Sequence, residues 1–144
     1  MEISTGGKVV TSAKIESVEN LFEVANGNLS PEDVRRVEVD DALVDTRATL
    51  LSLPTRLIKQ LGLRPQRKQV ARTPAGPTEF SIYDIVQLTV QGRDCKIEVA
   101  EIPDDCPVLI GQVPLEVLDF IVDPVSQRLI GNPDHGGQQM IGLF

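Results

Sequence analysis

The feature that most constrains the fold is a change of pattern inside one segment. Over "RVEVDDALVDT", residues 36–46, apolar and polar side chains first alternate. Then Ala42, Leu43 and Val44 follow one another without a break, directly before Asp45. Alternation at period two marks a strand with one wet face, whereas a continuous apolar run marks a strand covered on both faces. The segment therefore reads as a strand that starts half exposed, enters an apolar interior and ends by presenting a carboxylate, Asp45. A second apolar run, "LLSLP", follows within five residues.

The rest of the chain reads as short strands and three small helices. Residues 7–17, "GKVVTSAKIES", read as a strand from their β-branched content. "SVENLFEVANG" reads as a helix capped by Ser17, with Val18, Leu21, Phe22 and Ala25 on one face and Gly27 as its stop. Ser30 and Pro31 open a single turn with two acids at its positive end. "LPTRLIKQLGL" is a second helix, with Pro54 in its first turn, an apolar stripe of Leu57, Ile58 and Leu61, and Gly62 at its end. "TPAGP", Thr73–Pro77, is a turn between two strand-like flanks, so residues 64–90 read as a protruding hairpin. A second hairpin turns at Gln91–Gly92. "CPVLIGQVPLEVLDFIVD" reads as a buried strand, a glycine and a short helix. "QRLIG" is a last strand, followed by a Pro/Gly loop and the apolar end "MIGLF".

Length and composition bound the function. With 144 residues the chain suffices for one compact domain with a real core, and its 41% hydrophobic residues exclude general disorder. A net charge of -7 and 3% aromatic residues exclude nucleic acid and anionic membrane surfaces as main partners. No run of about 18 apolar residues exists to span a membrane, and the first ten residues carry no signal-peptide pattern. Cys95 and Cys106 form no CxxC and no disulfide framework, which predicts free thiols and a cytoplasmic location.

Two pieces of the chain together resemble a known family. "ALVDT" is an apolar run ending on Asp-Thr, and downstream Val108, Leu109, Ile110 and Gly111 form an apolar run ending on Gly. Between them lie a hairpin and then a second hairpin, and a short helix follows. This order resembles the retropepsin-like (retroviral-type) aspartyl proteases. The wording "VDTRATLLSLP" and "CPVLIGQVPLE" is most similar to their bacterial members. The resemblance runs from about Arg36 to the C-terminus and leaves the helix at 17–26 outside. It divides the chain into a strand-and-helix extension, 1–35, and a protease domain, 36–144.

The resemblance implies an all-β, retropepsin-like acid protease fold with short helices and one half-site per chain. Peptide hydrolysis by this route needs two carboxylates that share one proton and hold a water between them. One Asp-Thr motif per chain implies a homodimer, with Asp45 of each copy as the catalytic residue. Thr46 would then bond across the two-fold axis, and Ala48 would lie on the floor of the substrate cleft. Val108 to Gly111 would form the second half of the psi-shaped motif. The hairpin tip, Thr73, Pro74, Ala75, Gly76 and Pro77, would be a flap that closes over a peptide substrate. No metal or other cofactor is implied.

Arg47 departs from the family pattern, which has Gly in the third position of Asp-Thr-Gly. An adjacent cation favours the ionised carboxylate, by roughly one to three pKa units, and works against a shared proton. Three explanations stay open: a member that has lost the chemistry, one with altered specificity, or an introduced change. The rival readings are correspondingly a non-catalytic dimeric binding protein that keeps the cleft, or a scaffold whose cleft holds nothing.

Other residues have plainer readings. Asp104 and Asp105 suit a solvated turn. His135, the sole histidine, has no partner at metal or dyad spacing and reads as a loop residue. Cys95 and Cys106 read as small packed hydrophobes. The basic run "RPQRKQVAR" reads as an exposed flap strand or a contact for acidic substrates.

Overall fold

The structure, a computed structural model, describes residues 3–5 and 8–143. The readings of Gly7, of the first two residues and of Phe144 lie outside that set. Among the described residues ten strands and three α-helices follow in the order β1 (Ile3–Thr5), β2 (Lys8–Ser17), α1 (Val18–Ala25), β3 (Arg36–Val44), β4 (Leu51–Pro54), α2 (Thr55–Leu61), β5 (Pro65–Thr73), β6 (Gly76–Val90), β7 (Arg93–Ile102), β8 (Leu109–Ile110), α3 (Gln112–Leu118), β9 (Phe120–Asp123) and β10 (Arg128–Gly131). The fold is all-β with short helices, as expected. Among the described residues no helix is long and apolar enough to cross a membrane.

Eight strands form one sheet in the order β1-β2-β3-β8-β4-β7-β6-β5, and β2 also pairs with β6. That extra pairing, Lys14–Ser17 against Val86–Thr89, closes β2, β3, β8, β4, β7 and β6 into a ring. Closure removes free edges from those six strands and gives each an inward face. Ile15, Leu51, Leu53, Val86, Leu88, Val99 and Ile110 are all fully buried and belong to one apolar cluster. The antiparallel pair β9–β10 stands apart from this sheet, and its Phe120 and Leu129 join the same cluster.

Local signals account for most boundaries. The Ser17 hydroxyl accepts from the N–H of Asn20 and caps α1. Gly62 ends α2 at φ +67, a left-handed value that suits a residue without Cβ. Leu57, Ile58 and Leu61 are buried, as the apolar stripe predicts. Two readings need correction. On α1 only Val18 of the predicted apolar face is buried, and Phe22 and Ala25 are exposed. Leu53 and Pro54 close strand β4 rather than opening the helix. Pro54 sits at the helix cap with extended backbone, which its fixed φ allows.

Strand β3 follows the predicted change of pattern only in part. Ala42 is fully buried, but Leu43 and Val44 are half-buried in the single chain. Val44 packs on the core cluster.

Candidate active site

Two segments far apart in sequence cross at Asp45. Strand β8 runs parallel to β3, with Leu43 opposite Leu109 and Val44 opposite Ile110. On its other side β8 runs antiparallel to β4, with Leu51 opposite Ile110. The two residues of β8 are thus inserted between the strands on either side of the 45–50 loop. Backbone bonds fix the crossing: Leu43 N–H donates to Val108 O at 2.8 Å, and Asp45 N–H to Ile110 O at 3.0 Å. Val108 and Ile110 are buried, and Leu109 is half-buried.

Helix α3 holds the far side of the loop. The first N–H groups of a helix lack partners within it and must find others. Here Gly111, Gln112 and Val113 donate to the carbonyls of Leu50, Ala48 and Thr49 at 3.0, 2.8 and 3.0 Å. Three successive carbonyls of the loop are therefore held by the start of α3. The contact is close enough to require glycine at 111. A Cβ there would lie 2.4 Å from Leu50 O and 2.7 Å from Ala48 O.

Asp45 leaves β3 at this crossing with its side chain 16% exposed. Its carboxylate is held by Arg47, whose side chain is 90% exposed. The Arg47 N–H donates to Oδ1 at 3.0 Å, Nε donates to the same oxygen at 3.2 Å, and Nη2 reaches Oδ2 at 3.5 Å. Burial pushes the Asp45 carboxyl up. The Arg47 side chain and N–H, its charge and the Ala48 N–H together outweigh that and hold the group below its ordinary value. Asp45 thus favours ionisation in this structure. Thr46 is exposed beside it, and its hydroxyl makes no hydrogen bond among the described residues.

A cleft of about 740 Å³ opens next to this loop. Arg47, Ala48 and Leu50 line one side. Gln69, Thr73, Thr78 and Phe80 of the β5–β6 hairpin line another, and Ala100 to Pro103 close the end of β7. The hairpin turns through Pro74 and Ala75, with Thr73 paired to Gly76. The Thr73 hydroxyl donates to Gly76 O at 2.7 Å and accepts from Ala75 N–H at 3.2 Å. Gly76 adopts φ +106, a region that favours glycine. Pro74, Ala75 and Pro77 are exposed at the tip. The structure thus brings Arg47, Ala48 and Thr73 to one cleft, with Asp45 bonded to a residue of its wall.

A family model described as aspartyl protease matches residues 31–133, spanning β3, the Asp45 loop, both hairpins and α3. The chain belongs to the aspartyl protease family. A search of curated proteins gives no match.

Within this aspartyl protease chain, Glu101 is a cleft residue that the sequence did not signal. It accepts from Thr55 Oγ1 at 2.8 Å and from the Tyr83 hydroxyl at 3.2 Å. Those partners are distant in sequence, so no local motif could reveal it. The remaining candidates lie elsewhere. Asp104 accepts the Arg56 N–H at 2.8 Å at the start of α2. Cys95 is buried, and burial with the charge of Asp94 pushes its thiol up to about 11, as suits a packed apolar side chain. His135 is more than a loop residue. Its Nδ1 lies 2.5 Å from Oδ2 of Asp119, a buried acid that also accepts the Met140 N–H at 3.0 Å. Among the described residues no cluster of three or more His, Cys, Asp or Glu is arranged to hold a metal ion.

Proposed function

We propose that this chain is an aspartic peptidase of the retropepsin type that works as a homodimer, with Asp45 of each copy supplying one of the two catalytic carboxylates. The observation that supports this most is the placement of Asp45. It ends a strand of the ring, on a loop held by α3, beside a cleft faced by an exposed hairpin tip. One such acid per chain makes half of a two-carboxylate site, and a two-fold axis makes the whole. Thr46, exposed on that loop, suits a bond to its counterpart in the second copy.

In the assembled site one carboxyl holds a proton and the other is ionised, because two adjacent negative charges cannot both persist cheaply. The ionised member takes a proton from water as the water oxygen attacks the peptide carbonyl, and the protonated member donates to that carbonyl oxygen. Collapse of the tetrahedral species breaks the C–N bond, and a proton passes to the leaving amine. The hairpin tip at Thr73–Pro77 acts as a flap that excludes bulk water. The substrate is a peptide or protein, no cofactor or metal takes part, and the free thiols suit the cytoplasm.

Arg47 restrains this chemistry. By binding Asp45 it favours the doubly ionised pair, and its side chain occupies the wall of the cleft. The same pair supports a second reading, a retropepsin-fold protein that binds peptides without cutting them. Subunit mixing tests the shared site. Arg47→Gly protein and the same protein with Asp45→Asn are refolded together in varied ratio. A site built from two copies loses activity faster than the active fraction falls, as its square. A linear decline would mean that each chain carries a complete site.

A further inference from the structure

Strand β6 is irregular at its middle. It pairs with β5 as far as Tyr83 and with β2 from Val86 onward. Its register against β7 also shifts between those two residues. Asp84 and Ile85 fall in the gap. A bulge of this kind breaks the alternation of side chains and can re-aim one toward water. Ile85 is left 47% exposed.

Helix α1 begins beside this bulge, because Ser17, which caps it, is the strand partner of Val86. The segment matched by the aspartyl protease model begins at residue 31, so α1 is an element outside it. Phe22 of α1 is 58% exposed. Phe22 and Ile85 line one groove of about 520 Å³, between α1, the start of β5 and the middle of β6. Among the described residues, none that lines this groove also lines the cleft beside Asp45.

The rim of the groove is acidic, with Glu19, Glu23, Asp84 and Glu98 on it. Arg64 stands between two of these acids. Its Nε donates to Asp84 Oδ2 at 3.2 Å and its Nη2 donates to Glu19. Arg67 engages Glu98 at 2.6 and 3.0 Å from outside the groove. Glu23 has no ion-pair partner among the described residues. Four carboxylates thus meet two guanidiniums around two apolar side chains left in water.

We propose that the groove between α1 and β6 is a docking site for a basic segment of another polypeptide, in which apolar residues are flanked by Lys or Arg. The apolar residues cover Phe22 and Ile85, and their removal from water supplies affinity. The flanking cations meet the acidic rim and give Glu23 a partner. The sign of the rim excludes nucleic acid and anionic lipid. A small polyamine would leave the apolar pair in water. A second copy of this chain is disfavoured, since a two-fold contact would set the acidic rim against itself. The proposal goes beyond the peptidase reading and needs neither Asp45 nor a shared catalytic centre.

The test is a fluorescence anisotropy titration of the whole chain with a labelled peptide of about ten residues, two adjacent Leu between pairs of Lys, the rest Gly and Ser. One matched peptide carries Gln for Lys, and another carries Ser for Leu. The Lys–Leu peptide is expected to bind at least about tenfold tighter than either at low salt, and its lead over the Gln peptide should shrink as salt is added. An acidic protein attracts any cation, so variants decide the place. Phe22→Ser should weaken binding about tenfold, and so should Glu19→Gln with Glu23→Gln. Asp40→Asn with Asp41→Asn, which removes two exposed acids outside the groove, should leave binding within about twofold. Phe22 is exposed, and Ser and Phe have similar helix propensities, so the melting temperature of Phe22→Ser should stay unchanged. Equal losses from the two acid pairs would mean general charge attraction. Full binding by Phe22→Ser, or no preference for the Lys–Leu peptide, would mean that the groove is not a basic-segment site. A fall in sedimentation mass caused by Phe22→Ser would make a second copy the occupant. Any of these results would overturn the proposal.

Discussion

The α-carbon of Gly111 stands so close to the carbonyl oxygen of Leu50 that an added Cβ would lie 2.4 Å from it. Both partners are backbone, so neither can swing aside. This contact is where α3 meets the loop that carries Asp45, and three N–H groups of the helix start are spent on that loop. Gly111→Ala must therefore push the loop away or lose those bonds. A stability loss of about 1–3 kcal/mol is expected, the usual cost of overfilling a packed site. Thermal unfolding measures it, and an unchanged melting temperature would mean that the crossing is looser than described.

Ile110 and Leu43 stand in paired apolar runs but are not equivalent. Ile110 is fully buried in the ring, whereas Leu43 is half-buried. Ile110→Asp should unfold the chain, because an unpaired buried charge costs several kcal/mol, comparable to the whole stability of a domain this size. Leu43→Asp should be milder in the single chain. Far-UV circular dichroism separates the two. A folded Ile110→Asp protein would contradict the placement of β8 inside the ring.

That difference shows what the sequence could reveal. Patterns confined to one segment were legible: the alternation of β3, the Ser17 cap, the buried stripe of α2, and the hairpin turns at Pro74–Ala75 and Gln91–Gly92. Whether Leu43 is covered depends on neighbours from elsewhere in the chain, and no periodicity encodes them. The same holds for the β2–β6 pairing that closes the ring. It holds for Glu101 with Thr55 and Tyr83, and for His135 with Asp119. The strand at Phe120–Asp123 escaped because its apolar residues continue those of α3, and short apolar runs do not distinguish helix from strand. The Asp45 loop was legible as a motif, and so was the pull of Arg47 on its carboxylate, but the fastening of the loop to α3 was not.

Asp119 gives a pH-dependent prediction. The His135 hydrogen bond chiefly holds its carboxyl below the ordinary value, helped against burial by the Met140 N–H and by Asn132. A group whose folded pKa is lowered contributes stability above its unfolded pKa and loses it as pH falls through the folded value. Asp119→Asn should therefore lower the melting temperature at neutral pH, with the gap to the parent closing in acid below the ordinary carboxylate range. Melting temperatures measured across that range check it. A gap of constant size would show that ionisation of Asp119 contributes nothing.

Met140, Ile141 and Leu143 are 51%, 70% and 82% exposed in the single chain. Three large apolar side chains left in water next to one another suit an interface. Sedimentation equilibrium should return twice the 15.7 kDa of the chain. Removing residues 140–144 should shift the protein toward monomer. A clean monomer of the full chain at high micromolar concentration would contradict the homodimer and the shared site together.

The central claim is that paired Asp45 carboxylates cut peptides and that Arg47 holds them back. The most direct measurement is kcat/KM for a broad peptide mixture from acid to neutral pH, taken on three proteins: the chain itself, Arg47→Gly, and Arg47→Gly with Asp45→Asn. Arg47→Gly should gain at least about tenfold, the lower end of the pull that an adjacent cation exerts on a carboxylate. Its optimum should be acidic, where one proton is shared, and adding Asp45→Asn should abolish the activity. Absence of hydrolysis by both the chain and Arg47→Gly would contradict the peptidase account and favour a peptide-binding protein. Higher activity in the parent than in Arg47→Gly would contradict the restraining role of Arg47.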